Sequence, residues 1–297
     1  MVARIYCVIV TYNGMKWLPK TLSSIKASHY PLKTIIVDNG STDVTCAFIS
    51  EAFPEMHLIQ SKTNLGFGKA NNLGAKLAME EGAEYIFLLN QDAYLDENTI
   101  SRCLAGFGFG SKIGLVSPVH LNGKGEGLDF GFQSCLTEGL CPGFVSDMTL
   151  KRAKPFYPIY SVNAAAWLLD ASIIKEIGLF SESFFHYGED INFQQRLRFF
   201  GFQAILISGA FIRHDRDQRK GEKTKIGKAH EVKTNQMTIL LNVNEPFNMA
   251  LKKVFKYAGL LFFEGRFIPS ANIFLDSIWN HNKYKRLRHE LMKGIPL

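Results

Sequence analysis

The feature that most constrains this chain is a repeated switch in its first hundred residues. Short apolar runs each stop at a small polar or acidic residue, and segments of helical spacing separate them. The runs are residues 4–11, residues 34–37, a short one marked by Leu58 and Ile59, and residues 85–89. Between them, residues 17–27 carry Leu18, Leu22 and Ile25 at helical spacing. Residues 44–50 form a short helix that Ser41 or Asp43 can cap. Residues 69–81 place Leu73, Leu77 and Ala78 on one face and stop at Gly82. Strands alternating with helices require right-handed crossovers, which predicts an α/β fold with a mainly parallel sheet flanked by helices.

The later sequence is less regular. Residues 121–160 are rich in Gly, Pro and aromatics and read as loops and short strands over the open side of the sheet. Regular structure returns at residues 162–169. A helix is expected over about residues 190–200, with Phe193, Leu197 and Phe200 inward and Gly201 as its stop. Residues 203–208 read as a further strand. Residues 213–228 are polar and charged and read as a mobile loop. Beyond them Phe247, Ala250, Leu251, Val254, Ala258, Leu261 and Phe262 fall at helical spacing, with Lys252, Lys253 and Lys256 off that stripe. The expected division is a nucleotide-binding domain over residues 1–240 and a C-terminal helical segment over residues 241–297.

Charge narrows the partners. The net charge is +7, and from Glu245 onward nine Lys and Arg face four acids, so most of the excess lies in the C-terminal helices. That segment has three readings: a face for an anionic membrane surface, a packing face on the main domain, or a homodimer contact. Nucleic acid is not expected, because the basic residues follow no known binding module. The five cysteines make no C-x-x-C pair and fit a reduced compartment. With strand-like residues at the start, no leader pattern and no long apolar run, the expected location is cytoplasmic, with peripheral contact at the inner face of the plasma membrane as an extension.

In an open parallel sheet, ligands bind beyond the carboxyl ends of the strands. Reading those ends in order gives Thr11-Tyr12-Asn13-Gly14, then Asp38-Asn39-Gly40-Ser41-Thr42-Asp43, then Asn64-Leu65-Gly66-Phe67-Gly68, then Asn90-Gln91-Asp92. Each is an acceptable turn by itself. Four in succession describe a polar crevice. Asp38 suits a base or ribose contact, or an Asx turn with Asn39 and Gly40. The spacing Gly66-x-Gly68-x-x-Asn71 places Asn where a dinucleotide fingerprint has its third Gly, which argues against NAD or FAD. The two glycines before a helix leave its N–H groups open to an anion. Asp92 ends an apolar strand and suits a divalent cation shared with substrate phosphates, or a helix cap before Glu97. Glu189 and Asp190 open a helix, where acids complement the macrodipole. Their aromatic approach, Phe184-Phe185-His186-Tyr187-Gly188, also suits the raised basicity of a general base. His214 heads a basic stretch with Arg213, Arg216, Arg219, Lys220 and Lys223, which fits a loop closing over a diphosphate or a solvated surface loop.

Taken in order and spacing, these segments resemble glycosyltransferase family 2, over about residues 5–214. The carrying residues are residues 8–13, 36–43, 64–68, 88–92 and 187–190, followed by Arg196. Within the family the chain is most similar to the rhamnosyltransferase branch. The resemblance implies a GT-A fold, with Thr11, Tyr12, Asn13 and Asp38 at the nucleoside and Asn64 and Gly68 lining the nucleotide-sugar pocket. Asn90, Gln91, Glu189 and Arg216 join the substrate-contacting set. It implies Asp92 and His214 as ligands of Mn²⁺ or Mg²⁺ and Asp190 as catalytic base. The family's Asp-x-Asp begins here with Asn90, one carboxylate fewer. The Gln-x-x-Arg-Trp signature of processive synthases is absent, since none of the tryptophans follows an Arg. The expectation is an inverting, metal-dependent transfer of one sugar, from dTDP-rhamnose or a UDP-hexose, to a saccharide or lipid-linked saccharide in cell-surface polysaccharide synthesis. The alternatives are a non-catalytic sugar-nucleotide-binding protein and a nucleotidyltransferase.

Overall fold

The computed structural model describes residues 2–216 and 225–295, the latter with backbone only over residues 225–229. In chain order the elements are β1 (Ile5–Thr11), α1 (Leu18–Lys26), β2 (Lys33–Asp38), α2 (Thr45–Ala52), β3 (His57–Gln60), α3 (Phe67–Glu80), β4 (Tyr85–Asn90), β5 (Ala93–Leu95) and α4 (Thr99–Gly106). Then come β6 (Ile113–Asn122), α5 (Phe130–Gln133), α6 (Phe144–Thr149), β7 (Phe156–Pro158), β8 (Ala166–Asp170), α7 (Ala171–Ile177), α8 (Glu189–Phe199) and β9 (Gln203–His214). The chain ends in α9 (Lys225–Leu240), α10 (Phe247–Phe263), α11 (Phe267–Trp279) and α12 (His281–Leu291).

One sheet runs β3-β2-β1-β4-β8-β6-β9-β5, with β7 on β9. Its first four strands are all parallel, as the alternating sequence predicts. Beyond β4 the sheet is mixed: β8 is antiparallel to both neighbours, while β6 and β9 are parallel. Central strands such as β1 and β4 are buried on both faces, with Cys7, Val8, Ile9, Ile86 and Phe87 all fully buried. Continuous apolar runs of this kind belong to sheets covered by helices on both sides.

Two expectations are corrected. Residues 213–228 are not one loop. Arg213 and His214 belong to β9, paired with Tyr94 and Ala93 of β5 and with Leu121 and Asn122 of β6, and helix resumes at Lys225. Ladder hydrogen bonds to two neighbours outweigh the local polarity that suggested a loop. Residues 121–160 hold the short helices α5 and α6 besides β7, where loops and short strands were expected. In the C-terminal stripe Ala250, Val254, Ala258 and Leu261 are buried, but Phe262 is exposed.

Candidate active site

The crevice is built from backbone register upward. Thr11 at the end of β1 lies opposite Asp38 at the end of β2, and Val10 lies opposite Asn90 of β4. Side chains then stitch the strand ends together. The Thr11 hydroxyl donates to Gln91 Oε1 at 2.7 Å, and the Tyr12 N–H donates to the same oxygen at 3.0 Å. Asn13, in the left-handed region at φ 47°, accepts from Thr42 N–H at 2.8 Å and gives its own N–H to the Ser41 hydroxyl. Asn tolerates that conformation because its short amide bonds locally. Thr11 is fully buried, so its side chain is spent on this stitching; Tyr12 is exposed.

Asp38 forms the Asx turn that its sequence context allows and keeps one carboxylate oxygen apart from it. One carboxylate oxygen accepts from the Gly40 and Ser41 N–H groups at 3.2 and 3.0 Å, which is the Asx turn. The other, Oδ1, is buried and has no hydrogen-bond partner. A buried carboxylate oxygen left so is costly unless a ligand donor meets it. The neighbouring Cys46 thiol is pushed up to about 11, by burial first and then by hydrogen bonding to Asp38 and its charge. Asn39 joins the next loop: its Nδ2 donates to Asn64 Oδ1 at 3.0 Å and its Oδ1 accepts from Leu65 N–H at 2.7 Å.

The glycines at the start of α3 act differently from the anion cradle the spacing suggests. The Gly66 N–H already donates to Asn64 Oδ1, and the Phe67 N–H to the Phe185 carbonyl. A Cβ on Gly66, at φ 81°, would lie 2.2 Å from that carbonyl oxygen. Gly68 lies against Phe180 and Glu189, where a Cβ would stand 3.2 and 3.8 Å away. These glycines let residues 180–189 cross the start of α3, which carries Glu189 and Asp190 to the crevice.

The second cluster comes from elements distant in sequence. Asp92 follows β4 and is fully buried, with Oδ1 3.3 Å from His214 Nε2 at the end of β9. It caps no helix; α4 begins only at Thr99. Asn90 Nδ2 lies 3.5 Å from the same imidazole nitrogen. Arg216 Nε lies 3.1 Å from His214 Nδ1 and 3.8 Å from Asp129 Oδ2. Asp129 is buried, accepts from the Phe132 N–H at 2.8 Å, and was missed by sequence reasoning. Its signal is faint: an acid before a short Phe-Gly-Phe helix inside an aromatic, glycine-rich stretch. A Cβ on Gly131 would stand 2.5 Å from an Arg216 guanidinium nitrogen and would push that guanidinium from its place. Arg219, Lys220 and Lys223 of the proposed closing loop lie outside the described residues.

Asp190 is half-buried in the first turn of α8, and its Oδ1 accepts from the Ile191 N–H at 2.8 Å. Burial raises its pKa; backbone hydrogen bonds and the nearby Arg216 charge pull against that rise. Arg216 thus lies against His214 and Asp129, and its charge also reaches Asp190. Glu189 is buried, its Oε2 has no partner, and its pKa is raised to about 7 by burial and then by the charge of Asp190. Arg196 anchors the same helix: fully buried, it donates to the carbonyls of Ile177, Gly178 and Leu179 at the end of α7, where carbonyls attract a cation. Two other concavities, one beside Tyr30, Lys33 and His57 and one beside Asp96, Arg102 and Arg213, contain none of the predicted site residues.

The donor set fits a shared metal better than a dedicated one. Two ligands of an octahedral Mg²⁺ or Mn²⁺, with bonds of about 2.1 Å, stand about 3 Å apart, close to the Asp92–His214 spacing. Among the described residues no group of three or more His, Cys, Asp or Glu converges to hold a metal. The remaining coordination positions are those that substrate phosphates and water take in such sites.

A parallel sheet whose strand ends form a polar crevice, faced by an acidic helix start, is the frame of a GT-A nucleotide-sugar transferase. The model described as Glycosyl transferase family 2 matches residues 6–145. An N-acetylglucosaminyl-diphospho-decaprenol L-rhamnosyltransferase of Mycobacterium tuberculosis is 24% identical over 236 residues, 72% of this chain and 76% of that protein. A dTDP-rhamnosyl transferase RfbF of Shigella flexneri is 33% identical over 103 residues, 34% of each chain. Among solved structures, GalNAc-T7 with UDP, GalNAc and Mn²⁺ superimposes with a TM-score of 0.67 at 14% identity, covering 99% of this chain and 56% of that one. Residues 6–145 belong to glycosyltransferase family 2, and the chain is an enzyme that transfers a sugar from a nucleotide sugar.

Proposed function

We propose that the enzyme is an inverting, metal-dependent transferase that moves a single sugar, L-rhamnose from its dTDP donor or a hexose from UDP, to a saccharide or lipid-linked saccharide of the cell surface. The observation that carries the reading is the convergence of Asp92 and His214 with Arg216 and Asp190, beside the strand ends that hold Asp38. The rhamnosyl assignment is supported by the mycobacterial and Shigella relatives, and the metal by the Mn²⁺ in the GalNAc-T7 structure.

In this reading Asp38 Oδ1 accepts from the nucleoside. Asn64 and Gly68 line the sugar-nucleotide pocket, with Tyr12, Asn13, Asn90 and Gln91 along its rim. Asp92 and His214 hold the cation, which supplies charge for the departing diphosphate. Arg216 adds a guanidinium aimed at the same charge. Asp190, with its basicity raised by burial, takes the proton of the acceptor hydroxyl as that oxygen attacks the anomeric carbon. The bond to the diphosphate oxygen breaks as the new glycosidic bond forms on the opposite face, so the anomeric configuration inverts. Glu189, its neighbour in the chain, is buried and shares the electrostatic surroundings of the base. A binding protein without catalysis would have no use for Asp190.

The deciding experiment follows transfer from dTDP-rhamnose and UDP-hexoses with and without EDTA, and with Asp92→Ala. Turnover should vanish in both cases and return on Mn²⁺ addition only for the native chain. Full activity in EDTA removes the cation from the scheme. A product that retains the donor's anomeric configuration removes the single displacement.

A further inference from the structure

The C-terminal helices carry a surface unlike the rest of the molecule. Of the exposed residues of α11, only Asn272 is polar. Phe267, Ile268, Leu275, Ile278 and Trp279 face outward, Ile268 at 74% and Trp279 at 77% exposure. Next to them Phe263, at the end of α10, is 87% exposed. The opposite side of α11 is fully engaged. Ser270 donates to the Ala258 carbonyl at 2.8 Å, Ile273 packs with Val232, Ala258 and Leu261, and Asp276 accepts from Lys233 and Gln236 of α9 at 2.6 and 2.8 Å. The outward face is therefore a finished surface on a well-anchored helix. Scattered apolar residues are ordinary on a protein surface, whereas a helix face almost wholly apolar implies an occupant.

The charges beside it say which occupant. Along α10 one exposed stripe, spaced by three and four residues, runs Lys252, Lys256, Leu260, Phe263. It passes from basic to apolar toward the hairpin turn. Lys283, Lys285 and Arg286 stand exposed on α12, directly after Trp279. Apolar and aromatic side chains bordered by lysines are the composition of a helix lying in a lipid headgroup layer. A second copy of the chain is the poorer fit, since it would bring two segments, each with nine basic residues against four acids, face to face. Among the described residues no helix is long and apolar enough to cross a membrane.

We propose that the outer face of the α10–α11 hairpin docks this enzyme on an anionic lipid bilayer, with α11 lying in the interface and the lysines of α10 and α12 at headgroup level. The surface stands independently of the donor and acceptor. It is nonetheless joined to the site: α9 packs on the hairpin through Val232 and Lys233, while its Thr234 and Thr238 pack on Gly188, one residue before Glu189. An acceptor carried in the bilayer would thus be presented to a crevice held at fixed height.

Sedimentation of the full chain with phosphatidylcholine vesicles, with or without about one third phosphatidylglycerol, tests the proposal. Binding should require the anionic lipid and weaken with salt. Trp279 fluorescence should shift to the blue, and Trp279→Phe should lose that shift. Lys252→Gln with Lys256→Gln should weaken binding about twenty-five-fold, at about fivefold per charge. Phe263→Ser with Ile268→Ser should nearly abolish it while leaving donor binding and the melting temperature as in the native chain. Absence of binding to either vesicle overturns the proposal. So does binding that survives both pairs of substitutions, or a dimer in light scattering that the Phe263→Ser, Ile268→Ser pair dissociates.

Discussion

The two halves of the crevice are built in opposite ways. The half at β1, β2 and β4 is a product of strand register: parallel ladders put Thr11 beside Asp38 and Val10 beside Asn90, and short loops join within a few residues of each. The half around Arg216 has no such ladder beneath most of its members. Asp92, Asp129 and His214 come from three separate stretches of chain and meet through buried charges, while Asp190, from a fourth, lies within the field of Arg216. A backbone ladder tolerates the loss of one side chain. A buried polar network does not, because each deletion leaves a partner unsatisfied. Substitutions in the second half should therefore cost more than those in the first.

The largest effect is expected at Asp190. Asp190→Asn keeps the size and the hydrogen bond to the Ile191 N–H within reach but removes the proton acceptor. Transfer should fall by about 10² to 10⁴, with donor affinity measured by calorimetry unchanged. Turnover near the native rate would place the base elsewhere and erase the contrast between the halves.

Glu189 comes next, and its readout is stability. Its pKa is raised to about 7, whereas an unburied Glu titrates near 4.5. Between those values the folded chain holds the proton more tightly than the unfolded chain, so stability is present in full below about pH 4.5 and is lost as pH rises to about 7. The rise corresponds to about 3 kcal/mol. Glu189→Gln should flatten this part of the pH profile in urea unfolding and make the variant the more stable form at pH 8. An unchanged slope between pH 5 and 8 would mean that another group carries it.

How far each half was legible in the sequence follows from the same contrast. The parallel half could be read directly, because an apolar run ending in Asp or Asn is a local pattern and successive parallel strands place those ends side by side. Asp38, Asn64, Asn90 and Asp92 were found that way. The mixed half was not legible to the same degree. His214 looked like part of a loop because nothing local tells that β5 and β6 will pair with it. Asp129 was missed since its partners lie more than eighty residues downstream. The Gly66 and Gly68 pair was read as leaving N–H groups open to an anion, but the Gly66 and Phe67 N–H groups already donate to Asn64 and to the Phe185 carbonyl, a partner that no spacing rule contains.

The smallest of these effects is expected at Asp38, and it sharpens the comparison most. Asp38 Oδ2 holds the Asx turn through two N–H groups, while Oδ1 is buried without a hydrogen-bond partner. Asn at this position would keep an acceptor for the turn and change the charge and one donor–acceptor role at the ligand. Ala would remove both. If the strand ladder holds the loop, as the Thr11–Asp38 register and the Asn13 bonds to Ser41 and Thr42 indicate, Asp38→Ala should fold normally. It should raise the donor KM roughly tenfold, the loss of one hydrogen bond to a charged group, with little change in kcat. Asp38→Asn should fall between it and the native chain. A loss of kcat with an unchanged KM would show that this side chain acts on the reacting centre. The two halves would then be one coupled network, with no division between a register-built pocket and a charge-built one.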